Sequence, residues 1–152
     1  ADLDALAAYV ASLDRFLRSP HRNVDGTLPT AAMRGRVLFE RADLACTSCH
    51  AGARLTDSAF SMPGAPVLHD VGTLGPGSGM RLGGPLPGID TPTLRGVFGT
   101  APYLHDGSAA TLAEVFTVGS ARDWHGHTGI LTAPELDDLL TYLSCLDDTV
   151  DP

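Results

Sequence analysis

The chain has no lysine. All ten of its basic side chains are arginine, against 18 acids, for a formal net charge of −8 over 152 residues. From Glu135 to Asp151 there are six acids and no base at all. A nucleic-acid partner is therefore not expected, because that grip needs a basic face to displace counterions. Docking through a ring of lysines is excluded outright, so an electrostatically steered partner should present a basic face. Aromatic residues make up only 6%, too few for a thick core, which suggests that something besides side chains fills the middle. No apolar run approaches the ~20 residues of a membrane span, and no basic segment with an apolar core opens the chain. Glycine (17) and proline (11) are plentiful, and they punctuate the sequence with fixed turns.

Cysteine is scarce too, with three residues, but two of them stand in Cys46-Thr47-Ser48-Cys49-His50. This is the attachment pattern of a c-type haem. Two thiols three residues apart on a tight turn can each bond one porphyrin vinyl, and the adjacent histidine then reaches the iron as proximal ligand. Half a zinc site would need a second ligand pair, and Cys145 stands alone and far away. A thioredoxin-type pair would need a β-branched strand leading in, which Leu44-Ala45 is not. A plain disulfide is the remaining alternative. The expectation is one covalently bound haem c held by Cys46, Cys49 and His50. Since haem c is attached outside the bacterial cytoplasm, it carries with it a periplasmic or exported location.

Hydrophobic spacing reads as helices joined by Gly/Pro loops, so the fold class is all-α. Leu3, Leu6, Ala7, Val10, Leu13 and Leu17 predict a helix over 2–18, ended by Ser19-Pro20. A second helix is expected from a Thr30 cap to Glu40, with Met33, Val37 and Leu38 on one face and Gly35 allowing close approach. Residues 52–99 read as loop. Thr111-Leu-Ala-Glu114 and Thr132-Ala-Pro-Glu135 are capping boxes opening a short helix and the final one. Helix, haem motif, long loop and terminal helix is the order of a cytochrome c domain. The crossing pair would be 30–40 and 133–146, with Gly35 and Phe39 meeting Tyr142 and Leu143.

Three further stretches carry a more specific resemblance: Thr91-Pro-Thr-Leu-Arg-Gly96, Thr100-Ala-Pro-Tyr-Leu-His-Asp-Gly107 with Ala110-Thr-Leu-Ala-Glu-Val115, and Leu68-His-Asp-Val-Gly-Thr73. Together they resemble the C-terminal haem domain of the bacterial di-haem cytochrome c peroxidase and MauG family, over about residues 1–146. The resemblance implies a cytochrome c-like domain over 21–148, preceded by an N-terminal helix (1–20) like that family's inter-domain passage and followed by a tail (149–152). A complete member carries two attachment motifs and this chain has one. The implied function is thus single-electron transfer by a module of a larger protein, working with a redox protein or an adjacent domain. The alternative is a fragment of a haem peroxidase or oxygenase whose catalysis needs a second haem domain.

The second axial ligand is less local. Family relatives place Met or Tyr near the short helix after the Ala-Pro-Tyr motif, where this chain has Val118-Gly119. Slightly further on, His125-Gly-His-Thr128 is similar to the His-Gly-x-Thr of some multi-domain relatives. The segment 119–131 also has Gly119, Gly126 and Gly129 for sharp bends. His125 is the expected distal ligand, with Met80 in its glycine-rich loop as the alternative and His127, Met62 and His105 as further rivals. Arg95, and less so Arg81, are candidates to hold haem propionates by a guanidinium fork. Tyr103 and His105 are expected to line the pocket or fix its loop. Trp124 is expected to pack, and Cys145 to be an inert buried thiol.

Overall fold

The computed structural model describes residues 2–13, 15–58, 67–81, 83–118 and 123–149. Among them are four helices: α1 (Asp2–Ser12), α2 (Thr30–Phe39), α3 (Leu112–Val118) and α4 (Ala133–Ser144). The strands are two residues each, β1 (Met80–Arg81) and β2 (Gly84–Pro85), a small antiparallel hairpin inside the long loop.

The core is the crossing of α2 and α4. Gly35 makes it possible: a Cβ at that position would stand on the Asp138 carbonyl oxygen and 2.8 Å from the Tyr142 Cβ. The Phe39 and Tyr142 rings meet with centroids 5.5 Å apart, and Ala32, Leu38, Leu139 and Leu143 are buried around them. The close approach rotates α2 so that Ala32, Gly35 and Phe39, spaced i, i+3, i+7, face α4. Met33 and Val37, grouped with Leu38 by spacing, are consequently exposed at 50% and 63%, whereas Leu38 is buried. Thr30 lies within the helix, after Pro29 as its N-cap, instead of capping it. At α4 the Thr132 amide and hydroxyl both donate to Glu135, at 2.8 and 2.7 Å.

The first helix is shorter than expected. It stops at Ser12 and buries no residue, so Leu3, Leu6 and Val10 form an exposed apolar face. The following segment turns to the C-terminal end instead. The Phe16 and Ser19 amides donate to Asp148 and Asp147 at 2.7 and 2.8 Å, partners a continued helix would have denied them. Arg22 forms a buried ion pair with Asp147 at 3.1 Å and donates to the carbonyls of Cys145 and Gly26. Sequence reasoning had no signal for this buried arginine, because its partner lies more than a hundred residues away.

Candidate functional site

Cys46 to Ser48 form one turn of 3-10 helix, entered through Ala45 in the left-handed region (φ 59°). The His50 amide donates to the Cys46 carbonyl at 3.0 Å, closing the turn. Cys46 and Cys49 are free thiols, and burial pushes the Cys46 thiol up. The His50 Nδ1 lies 3.2 Å from the Leu55 carbonyl. That carbonyl can only accept, so Nδ1 carries the proton and Nε2 is left with its lone pair, the usual preparation of a ligating imidazole.

His125 comes to the same place through backbone contacts. The His127 amide donates to the Leu44 carbonyl at 3.1 Å, and Gly126, with φ 75°, lies against the same carbonyl. A side chain at Gly126 would crowd Leu44, the residue that leads into the cysteine turn. As a result the His50 and His125 rings face each other with centroids 6.2 Å apart and planes 33° from parallel. Phe116 of α3 covers His125 on another side, at 6.3 Å. The His125 Nδ1 is buried and has no hydrogen-bond partner, an unusual state for a polar atom.

Burial first, and the neighbouring His50 second, push the His125 imidazole down to about 4. His50 is lowered as well, chiefly by burial and against the Leu55 hydrogen bond. Both rings are therefore neutral at pH 7, as metal ligands must be. Unfolded, His125 would protonate near 6.5. Folding excludes that proton between the two values, so stability of the haem-free chain is full above pH 6.5 and falls as the pH drops towards 4. The loss is on the order of 3 kcal/mol. Denaturant midpoints at pH 7 and pH 4.5 measure it. His125→Gln should remove most of the difference, and an equal difference in both chains would refute the assignment.

The residues present fit a haem. Two imidazoles on opposite sides of one metal, each with its nitrogen about 2 Å away, have centroids roughly 6 Å apart. That is the observed spacing, between two neutral rings, one of them with an orphaned nitrogen, beside two free thiols.

The rival ligands lie elsewhere. Met80 is 72% exposed in the β1 hairpin. His127 is exposed, with its Nδ1 3.9 Å from Asp123, and His105 shares a 3.0 Å hydrogen bond with Thr73. Met62 lies outside the described residues, as does the side chain of Arg81. Arg95 bonds Asp148 at 2.9 Å, and the Tyr103 hydroxyl donates to the Val97 carbonyl at 2.9 Å. Trp124 packs on Gly72, and Cys145 is buried with its sulfur 3.3 Å from the His21 carbonyl. One grouping was not anticipated. His69 lies with Nδ1 3.7 Å from the Cys49 sulfur and Nε2 2.6 Å from Asp57. The Thr91 hydroxyl first, and then His69, hold Asp57 below the ordinary carboxylate range. His69 was legible only as part of a motif, and Asp57 carried no signal.

Fold and site together define a cytochrome c-like protein, for which haem c is the implied cofactor. Residues 88–124 match the family described as RoxA-like, cytochrome c-like. The chain is 35% identical to the hydrazine synthase gamma subunit of Kuenenia stuttgartiensis over 95% of its own length and 48% of that protein. It is 29% identical to the methylamine utilization protein MauG of Methylophilus methylotrophus, over 72% of this chain and 31% of the relative. Among solved structures, hydrazine synthase of K. stuttgartiensis pressurized with xenon superposes with a TM-score of 0.62 at 31% identity, covering 86% of this chain and 51% of the other. A MauG-like protein associated with microbial copper homeostasis gives 0.60 at 28%, covering 83% and 49%. The chain spans about half the length or less of these relatives.

Proposed function

We propose that the chain is a haem c electron-transfer domain in which Cys46 and Cys49 bond the porphyrin and His50 and His125 are the two axial ligands. The observation that carries this reading is the pair of neutral, half-buried imidazoles 6.2 Å apart beside the cysteine turn. When bound, the haem supplies a one-electron redox couple. The chain's own residues do the rest. Leu55 fixes the His50 tautomer, and the Leu44 and Gly126 contacts hold His125 in register. Phe116 and the core about Leu44 exclude water. Held by both imidazoles, the haem would offer peroxide no open position, which favours electron transfer over catalysis. Tyr103 lines the wall. Arg95, tied to Asp148 through one Nη, keeps the rest of its five-donor fork for a propionate.

In this reading residues 21–148 are the haem domain, 1–20 a passage to a preceding domain and 149–152 a tail, like the C-terminal haem domain of the di-haem peroxidase and MauG family. The chain is then one module of a larger protein, exported to the periplasm. Its electron partner is an adjacent domain or a redox protein, and where association is electrostatically steered that protein presents a basic face to the acidic C-terminal stretch. Among the described residues no helix is long and apolar enough to cross a membrane.

Covalent attachment is tested by mass. Under denaturing conditions the intact chain should exceed its polypeptide mass by one haem and keep it through acid–acetone extraction. Recovery of the bare polypeptide mass would refute haem c.

A further inference from the structure

The two cysteines of the attachment turn are not equivalent. Among the described residues the Cys46 sulfur has a 3.8 Å contact to the Leu44 carbonyl and no histidine within hydrogen-bond reach. Cys49 has one: the His69 Nδ1 at 3.7 Å, with the opposite ring nitrogen 2.6 Å from the Asp57 carboxylate. Asp57 can only accept, so Nε2–H donates to it and Nδ1 is left as a lone pair facing the thiol. This is the thiol–imidazole–carboxylate order by which a nucleophilic cysteine is activated and its base oriented. The assembly is held from outside. His69 and Ile89 exchange backbone hydrogen bonds of 2.9 and 2.8 Å, and Gly88 lies so close that a Cβ there would stand 2.8 Å from Leu68. Thr56, beside Asp57, donates to the Thr91 carbonyl at 2.5 Å.

We infer that this chain assists its own haem attachment, with His69 as the catalytic base for the Cys49 thioether and Asp57 as its positioning residue. The inference rests on the haem c reading above. His69 takes the proton as the Cys49 S–H bond breaks, and the sulfur forms a bond to the inner carbon of a haem vinyl. The vinyl double bond is consumed, and the proton passes from His69 to the outer vinyl carbon. The addition is neutral overall and needs no external oxidant or reductant. Cys46 has no such partner, so its thioether forms without help and more slowly. Once the sulfur of Cys49 is a thioether, the triad has done its work and cannot act as a thiolate metal site.

The test uses the full chain in two backgrounds, Cys46→Ala and Cys49→Ala, each mixed with reduced haem without oxygen. Covalent adduct is followed by intact mass after acid–acetone extraction. General-base help contributes ~10²-fold or more, and a thiol, being a good nucleophile, should show at least about tenfold. In the Cys46→Ala chain, adding His69→Ala should slow attachment by that factor, Asp57→Asn should slow it less, and free imidazole should restore part of the His69→Ala loss. In the Cys49→Ala chain, His69→Ala should change the rate less than about twofold. Equal slowing in both backgrounds, as a folding defect would give, overturns the inference, and so does no slowing in either. If instead the unsubstituted chain forms no thioether in this assay, the inference is overturned, while the haem c reading stands or falls separately on the intact mass of the chain produced in an exporting bacterial host.

Discussion

His125→Ala is expected to convert a six-coordinate, low-spin haem into a five-coordinate, high-spin one that binds carbon monoxide, whereas the parent chain should bind none. The expectation follows from placement. The His125 ring is half-buried, neutral, and 6.2 Å from His50, and the rival ligands among the described residues stand exposed or bonded elsewhere. Met80 supplies the contrast. Exposed at 72% in a two-residue strand, it should be replaceable by alanine with no change in the spectrum. The parent spectrum should also lack the weak red band of Met-ligated ferric haem. Its potential should lie below that of a His/Met cytochrome, because a thioether favours the reduced iron more than imidazole does. Absorption and EPR spectra of the three chains decide the matter. A high-spin Met80→Ala chain beside an unchanged His125→Ala chain would refute the ligand assignment and leave electron transfer standing.

The second large effect is expected at Gly35. In an exposed helix, glycine to alanine gains ~1 kcal/mol. Here the new methyl would collide with the Asp138 carbonyl and the Tyr142 Cβ, both parts of a packed helix that cannot swing aside. The helices must separate, opening gaps around Phe39, Leu139 and Leu143. Overpacking of this kind costs about 3 kcal/mol, or roughly 6–12 °C in Tm for a chain of this size. Gly35→Val should prevent folding. Gly77→Ala is the control: open space surrounds that position, so its Tm should move by less than about 2 °C. Thermal unfolding followed by circular dichroism measures all three, and a Gly35→Ala chain as stable as the parent would refute the close crossing.

How much of this was legible beforehand depended on how far apart the cooperating residues stand. The Cys46–His50 motif is five residues long and folds as a single turn, so its residues could be named together from spacing alone. The α2–α4 crossing was legible for a related reason. A glycine in one amphipathic helix and an apolar stripe in another are each local patterns, and only one close packing satisfies both. The crossing face was read through Gly35 and Phe39, but hydropathy alone ranks Met33 and Val37 above Ala32, the residue that is buried there. Close approach reverses that order by requiring the small residues inside. The length of α1 was misjudged because Asp147 and Asp148, which take the amides of Ser19 and Phe16, enter from the other end of the chain.

His125 could be named among several ligands but not placed. Its position facing His50 depends on the Leu44 carbonyl meeting the His127 amide, a contact across more than eighty residues. The same holds for Cys49, His69 and Asp57, each ordinary in its own segment. The sequence by itself therefore determined the cysteine–histidine turn and the helices around it, because motif spacing and helical periodicity act over a few residues. Only the tertiary structure decided which imidazole faces the proximal histidine and which base faces which thiol. Those pairings are made by loop closures whose direction no local pattern records.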